Sequence, residues 1–219
     1  MTVQPTLDAV FFDFGGVFMD SPFGAMEAAA ATLGVDRDLL VDTVFGSYDA
    51  DTDHPWHRLE RGEIELAHAV DAIGEIALGN GLGNFDIFGA LAGMVRDGSD
   101  RTFMVEVVQR LRGAGVRTSI ITNNLKEFGS VWRAHIDVDE LFDDVVDSCE
   151  VGLRKPNVAI FELAVERLGV SAERSAFIDD FEPNVAAARS VGMHGVWCGY
   201  ENATTRSAAA ELLRLAGLD

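Results

Sequence analysis

Three short runs of apolar or β-branched residues in this sequence each end in side chains that could bind a cation or a phosphate group. The first run ends in a carboxylate followed by two glycines, the second in a hydroxyl and an amide, and the third in paired carboxylates. Mg²⁺ prefers oxygen ligands such as carboxylates, and hydroxyl and amide groups hydrogen-bond phosphate oxygens. In chain order these residues are Asp13, Gly15, Gly16, Thr122, Asn123, Asp179 and Asp180.

The runs have the composition of strands that are buried on both faces of a sheet. Residues 9–12 are all apolar, residues 117–122 are rich in β-branched side chains, and residues 175–178 form the third run. Such runs are typical of parallel sheets, and open α/β sheets bind their ligands at the carboxyl ends of the strands. We therefore expect the polar side chains that follow the runs to lie close together at one edge of a sheet.

The paired carboxylates Asp179 and Asp180 have two interpretations. Together with Asp13 they would concentrate negative charge in one crevice, which raises carboxylate pKa values and destabilises the fold unless a cation compensates. Mg²⁺ would remove this conflict. Alternatively, one of the two carboxylates caps the helix that begins near Pro183, because Asp is a preferred N-cap residue. Since a cap needs only one carboxylate, both interpretations stay open.

Lys155, Thr122 and Asn123 could together hold an anionic group. Pro156 disfavours helix at Lys155, so this lysine projects from a loop just before a helix begins. Thr122 and Asn123 precede a predicted helix, whose amino end favours anions. Taken singly, the lysine could equally be a solvated surface charge, and the two polar residues an ordinary helix cap. Their occurrence together with the carboxylates favours a phosphate site.

The order Asp, Thr, Lys and Asp-Asp, with three of these four motifs at strand ends, resembles the haloacid dehalogenase (HAD) superfamily, most of whose members are magnesium-dependent phosphatases. The resemblance extends over nearly the whole chain. It implies that Asp13 attacks phosphorus and forms an aspartyl phosphate, which water then hydrolyses. It also implies Mg²⁺ held by Asp13, the Gly15 carbonyl, Asp179 and Asp180, a phosphoryl group held by Thr122, Asn123 and Lys155, and Asn184 as a support of the acidic loop.

Position 15 departs from the pattern of the family. Most HAD phosphatases have a second Asp two residues after the nucleophile, which acts as general acid and base, whereas this chain has Gly15. General acid–base catalysis contributes roughly 10²–10⁴-fold. We therefore expect slow turnover, restriction to good leaving groups, or assistance from the substrate or another donor. The candidate donors are His54, His57 and Glu63.

The pattern of predicted elements divides the chain into two parts. Residues 18–98 show helical patterns, including one over 85–95, and no evident strand. Strands alternate with helices from residue 99 onward, which implies a parallel sheet covered on both faces. We predict an α/β fold with a doubly wound parallel sheet. The Rossmann-like HAD core domain would comprise residues 1–17 and 99–219, and residues 18–98 would form a small all-helical cap domain.

Local signals also predict the connecting segments. Residues 49–55 are polar and aperiodic, which predicts a loop. The pair Ser21-Pro22 predicts a helix start, because a capping hydroxyl precedes a proline at the first helical position. Residues 125–135 and 207–215 are each predicted to form one helix.

Composition and charge restrict the classes of partner. The 219 residues include 17 Lys and Arg against 36 Asp and Glu, a net charge of −19, which disfavours nucleic acid or an anionic membrane. No apolar stretch approaches the length of a membrane span, and residues 1–8 lack the features of a signal peptide. Cys149 and Cys198 are too few for a disulfide framework. We expect a cytoplasmic protein.

Three hypotheses about function follow. The leading one is a Mg²⁺-dependent phosphatase that hydrolyses a small phosphomonoester, such as a sugar phosphate, through an aspartyl phosphate. An alternative is a HAD-fold binding protein whose catalysis is weak or lost because of Gly15. The third is a 2-haloacid dehalogenase, a chemistry that uses no metal and whose enzymes lack the doubled acidic motif found here at Asp179-Asp180.

Overall fold

A five-stranded sheet forms the centre of the protein, described here from a computed structural model over residues 5–19, 21–83 and 101–218. All neighbouring strands are parallel, and the spatial order is third, second, first, fourth, fifth. The strands are β1 (Ala9–Phe12), β2 (Arg117–Thr122), β3 (Asp144–Asp147), β4 (Ser175–Asp179) and β5 (His194–Trp197).

In the described residues, helices follow β1 and alternate with the later strands. Within the described residues that lie between β1 and β2, no strand occurs. The first helices are α1 (Pro22–Leu33), α2 (Arg37–Phe45), α3 (Pro55–Glu60) and α4 (Leu66–Gly79). The later ones are α5 (Thr102–Gly113), α6 (Gly129–Arg133), α7 (Val138–Leu141), α8 (Ser148–Val151), α9 (Val158–Leu168), α10 (Glu182–Ser190) and α11 (Asn202–Leu215). None of the helices in these ranges is long and apolar enough to cross a membrane.

Both faces of the sheet are covered, because the side chains of β1 alternate between two apolar clusters. Val10 and Phe12 belong to the cluster that includes residues of α5 and α11. Ala9 and Phe11 belong to the cluster that includes residues of α9 and α10. All four side chains are fully buried, as expected for the central strand of a parallel sheet. The predicted doubly wound α/β fold is therefore confirmed.

The helical segment, defined here as residues 21–83, has an apolar cluster of its own. Met26, Leu40 and Ile73 bring α1, α2 and α4 together around this cluster, which also includes Leu125 from the loop after β2. The all-helical character predicted for this part of the chain holds within 21–83. The helix predicted over 85–95 lies outside the described residues, and the domain boundaries at 17/18 and 98/99 stay predictions.

Three local predictions were wrong. Helix α3 begins at Pro55, where no helix was predicted, and His54 caps it by accepting the Trp56 N–H at 3.2 Å. The predicted single helix over 125–135 is instead a 3₁₀ turn at Lys126–Phe128 followed by the short α6. The last helix begins at Asn202, five residues before the prediction. The Thr204 and Thr205 hydroxyls satisfy the Glu201 carbonyl at this start.

Candidate active site

The carboxyl ends of β1, β2 and β4 meet because these three strands are adjacent and parallel. Phe12 pairs with Ile120 on one side and with Ile178 on the other. The Asp13 N–H continues this ladder by donating to the Ile178 carbonyl at 2.9 Å. The first residues beyond the three strands therefore share one edge of the sheet.

Lys155 lies between two of the predicted carboxylates. Its Nζ is 2.6 Å from Asp13 Oδ1 and 2.7 Å from Asp179 Oδ2, and the residue is only 1% exposed. Burial by itself lowers the pKa of Lys155, but the charges of Asp13 and Asp179 outweigh it and raise the pKa. Lys155 therefore stays cationic, and its ammonium links the carboxylates of Asp13 and Asp179.

The amide side chain of Asn123 holds the backbone of Lys155 on both sides. Asn123 Oδ1 accepts the Lys155 N–H at 2.8 Å, and Asn123 Nδ2 donates to the Lys155 carbonyl at 3.0 Å. The Asn123 side chain thus positions the loop that carries Lys155. This role was not predicted, since the sequence indicated only a contact with a phosphoryl group. Thr122, the last residue of β2, is buried beside it at the strand end.

Asp13, Asp179 and Asp180 form a buried acidic cluster. Ligand oxygens of the three all lie within 4.8 Å of one another. Burial raises the pKa of Asp13 to about 7 although the Lys155 ammonium opposes this, and burial together with the charge of Asp179 raises the pKa of Asp180. Three carboxylates against one ammonium leave an excess of negative charge, which disfavours the cluster unless a further cation compensates.

The donor set of this cluster fits a hard divalent cation. Asp180 Oδ2 is buried and has no hydrogen-bond partner among the described residues. Such an orphaned carboxylate oxygen is costly without a proton or a metal. Mg²⁺ binds carboxylate and carbonyl oxygens, which this edge of the sheet supplies.

The helix-cap interpretation of Asp179 and Asp180 is wrong. The N-cap position of α10 is Phe181, which makes no side-chain cap. Asp179 Oδ1 accepts the Phe181 N–H at 2.7 Å, and Asp179 Oδ2 accepts from Asn184 Nδ2 at 3.0 Å. Asn184 is thus placed where it supports the acidic loop, and Asp179 joins that loop to Lys155.

The turn after Asp13 depends on Gly16. Its φ is +71°, and an added Cβ would overlap Asp180 Oδ2 and its carboxyl carbon. A side chain at this position would therefore displace the acidic cluster. Gly15 precedes it in the same turn and is partly buried.

Arg101 was not predicted from the sequence but holds this turn from outside. Its Nη1 donates to the Gly16 carbonyl, and its Nη2 donates to the Tyr200 carbonyl at 3.1 Å. The side chain is 2% exposed. A buried arginine far along the chain from its acceptors leaves no local sequence pattern by which it could have been found.

The three candidate proton donors have other roles in the helical segment. His57 is fully buried, its Nδ1 accepts the Thr52 N–H at 3.0 Å, and burial lowers its pKa to about 3. Glu63 pairs with Arg61 at 2.6 Å on the surface. His54 caps α3. None of these contacts places one of the three side chains beside Asp13, where the missing general acid would act.

Comparisons with known proteins identify relatives over most of the chain. The family described as haloacid dehalogenase-like hydrolase matches residues 7–192. Sesquiterpene phosphatase astK of Aspergillus oryzae is 30% identical over 196 residues, covering 87% of this chain and 89% of that protein. Mouse acyl-CoA dehydrogenase family member 10 is 28% identical over 191 residues, covering 86% of this chain but only 17% of the mouse protein.

Solved structures share the fold at lower identity. A magnesium complex of a HAD family enzyme from Bacteroides thetaiotaomicron superposes with a TM-score of 0.62 and 20% identity, covering 90% of this chain and 96% of that one. Dehalogenase structures are similar in fold as well. At these identities the likeness bears on the fold alone.

Proposed function

Because the chain belongs to the haloacid dehalogenase-like hydrolases, we propose that it is a Mg²⁺-dependent phosphatase of a small phosphomonoester. The observation that carries this proposal is the position of Lys155 Nζ, within 2.7 Å of both Asp13 and Asp179 in a buried acidic cluster. A relative that is similar over nearly its whole length is named a phosphatase, which supports the reaction class. The substrate implied by this proposal is a phosphorylated small molecule.

Asp13 is the proposed nucleophile. Its carboxylate oxygen attacks phosphorus, the bond from phosphorus to the ester oxygen breaks, and that oxygen leaves with the bonding electron pair. Water then attacks phosphorus in the aspartyl phosphate, which releases inorganic phosphate and restores the carboxylate. A carboxylate is a weak nucleophile toward an anion, so positioning and charge neutralisation must supply most of the catalysis.

Lys155 neutralises charge on the transferring phosphoryl group in this proposal. It already lies against Asp13, so it would reach a phosphoryl group bonded to that residue. The Thr122 hydroxyl and the Asn123 backbone, at the adjacent strand end, would hydrogen-bond the phosphoryl oxygens. Mg²⁺, held by Asp13, the Gly15 carbonyl, Asp179 and Asp180, would supply further positive charge.

Hydrolysis of p-nitrophenyl phosphate tests this function directly. We expect turnover with Mg²⁺ and loss of turnover after chelation by EDTA. Saturable binding of inorganic phosphate without turnover would instead support the alternative of a binding protein. The observation that favours this alternative is Gly15, which stands where most HAD phosphatases have their general acid. Metal-independent release of chloride from 2-chloropropionate would support the dehalogenase alternative.

Mg²⁺ is expected to raise the melting temperature of the protein. A ligand that binds only the folded state stabilises it by about 2.7 kcal/mol at a hundredfold excess over Kd. Asp180→Asn should reduce this Mg²⁺-dependent rise, because it weakens the charge of a metal ligand with an otherwise orphaned oxygen. Differential scanning fluorimetry measures both effects.

Screening of the net charge of −19 would also stabilise the fold without any metal site. The control is therefore Na⁺ at matched ionic strength. An equal shift with Na⁺, or an unchanged Mg²⁺ shift in Asp180→Asn, would contradict the metal site.

Gly15→Asp is expected to raise hydrolysis of alkyl phosphates by roughly 10²-fold, the lower end of the range for general acid–base catalysis. The gain for p-nitrophenyl phosphate should be much smaller, because its leaving group needs little protonation. The positive φ that only glycine readily adopts falls on Gly16, which the variant keeps. Steady-state kinetics on the two classes of ester measure the difference.

Gly15→Asn is the matched control for this variant, since it has the same shape and cannot transfer a carboxyl proton. A folded Gly15→Asp protein that gains no more than Gly15→Asn on alkyl esters would show that leaving-group protonation does not limit the rate.

A further inference from the structure

Arg154, the residue before Lys155, forms a fully buried ion pair with Glu60. The Arg154 side chain is 0% exposed, and its Nε lies 2.7 Å from Glu60 Oε2. The two residues are 94 positions apart, one in the lysine loop and the other at the end of α3. A buried charged pair of this kind joins the helical segment to the loop that carries the catalytic lysine.

The environment of this ion pair is built from the helical segment. Glu60 Oε1 accepts from Trp56 Nε1 at 2.9 Å and from the Tyr48 hydroxyl at 3.4 Å. Arg154 Nη1 donates to the Ala50 carbonyl at 3.3 Å, and its guanidinium lies 5.4 Å from the centre of the Tyr48 ring. The planar guanidinium thus makes several contacts at once, which a lysine could not reproduce.

Neighbouring contacts reach two loops of the candidate active site. The Tyr48 ring packs against Phe181 with ring centres 5.3 Å apart, and the Phe181 N–H donates to Asp179. Asn157, two residues after Lys155, donates to Asp51 Oδ2 at 3.4 Å. Residues 48–60 therefore contact both the loop of the lysine and the loop of the paired carboxylates.

Arg154 and Lys155 are adjacent in the sequence, but their side chains pair with carboxylates in different parts of the molecule. Lys155 Nζ contacts Asp13 and Asp179 at the sheet edge, whereas Arg154 contacts Glu60 in the helical segment. Asn123 fixes the Lys155 backbone from the side of the sheet. The Arg154–Glu60 pair contacts the same loop from the side of the helical segment, so the loop is attached on two sides.

We propose that Arg154 and Glu60 are a positioning pair that holds the Lys155 ammonium against Asp13 and links its placement to the seating of the helical segment. This inference rests on the function proposed above for Lys155. Arg154 does not contact the reacting atoms in this scheme. It acts through the backbone of the residue that follows it, and displacement of a catalytic group by about 1 Å can cost on the order of 10²-fold in rate.

Chemical labelling of lysine tests the placement without relying on activity. The chain has only two lysines, Lys126 and Lys155. Lys126 is exposed, whereas Lys155 is buried. After brief treatment with acetic anhydride, mass spectrometry gives the ratio of Lys155 to Lys126 acetylation. We expect this ratio to be low in the wild-type protein and to rise about tenfold or more in Arg154→Met and in Glu60→Gln.

Arg112→Met is the matched control, because Arg112 pairs with Asp143 at the amino end of β3, away from the site. All labelling is done well below each variant's melting temperature. If Arg154→Met does not fold, Glu60→Gln and the double variant Arg154→Met/Glu60→Gln decide the question. An unchanged labelling ratio in the folded variants would overturn the proposal.

Kinetics of the double variant separate positioning from stability. Removing both charges avoids an unpaired buried ion, so the melting temperature should recover relative to the single variants. We expect kcat for p-nitrophenyl phosphate to stay about 10²-fold low, with KM within about threefold of wild type. Recovery of kcat together with the melting temperature would overturn the proposal, because the pair would then serve stability alone.

A wild-type protein without phosphatase activity would contradict the proposed function, and that outcome is separate from the labelling result. The labelling ratio would still decide whether the Arg154–Glu60 pair determines the position of Lys155.

Discussion

Asp13→Asn is expected to abolish phosphoester hydrolysis, with kcat at least about 10⁴-fold below wild type. Asn keeps the shape of the side chain but cannot attack phosphorus as a carboxylate does. The fold should persist, because the backbone N–H of residue 13 still donates to the Ile178 carbonyl. Steady-state turnover of p-nitrophenyl phosphate with Mg²⁺ measures the loss, and circular dichroism checks the fold.

Asp8→Asn is the matched control, because Asp8 and Asp13 flank the two ends of β1. Asp8 pairs with Arg174 on the surface, and because exposed ion pairs contribute little, its loss should leave the stability of the fold nearly unchanged. We expect its turnover to stay within about twofold of wild type. Near-wild-type turnover by pure Asp13→Asn protein would exclude the covalent mechanism.

Lys155→Met should give the second large effect, a fall in kcat of about 10²–10³-fold, the magnitude found when one electrostatic contact to a transition state is removed. The variant keeps an apolar stem of similar length but leaves Asp13 and Asp179 without their shared ammonium. The melting temperature should fall as well, because removing one partner of a buried ion pair leaves an uncompensated charge. Saturating kinetics and thermal melts measure the two effects separately.

Lys126→Met removes the other lysine and serves as the control. Lys126 is exposed and donates to the Gly62 carbonyl at 2.9 Å, so its loss removes a charge without touching the acidic cluster. Turnover within about threefold of wild type in Lys155→Met would show that its ammonium does not neutralise the phosphoryl group.

The sheet and its polar edge could be predicted because their signals are local. A strand buried on both faces is a run of apolar or β-branched residues. The polar side chains begin just after it, as at Asp13, or at its last residue, as at Thr122. The bounds of β2 were predicted to the residue. Parallel pairing then brings separate strand ends together without any knowledge of side-chain contacts.

The remaining features depend on contacts between distant residues. Helix α3 spans six residues, too few to show a helical period, and only Pro55 at its start marked it. The segment after Leu125 is not one helix, and its Lys126 and Glu127 bond to the helical segment, contacts that no local pattern indicates. Nothing in the sequence around Arg154 indicates that its side chain is buried and paired with Glu60.

Arg101 and the Gly16 carbonyl join two points that are 85 positions apart in the sequence. For a flexible segment closed at its ends, each doubling of length adds only about 0.6 kcal/mol of closure entropy. Because the Arg101 guanidinium holds the two ends of this segment together, the length of the segment should have little effect on the free energy of folding. Grafting the corresponding segment of a relative between these points should therefore be tolerated by the fold, and a graft that also supplies an acidic partner for Arg154 in place of Glu60 should keep Lys155 in position.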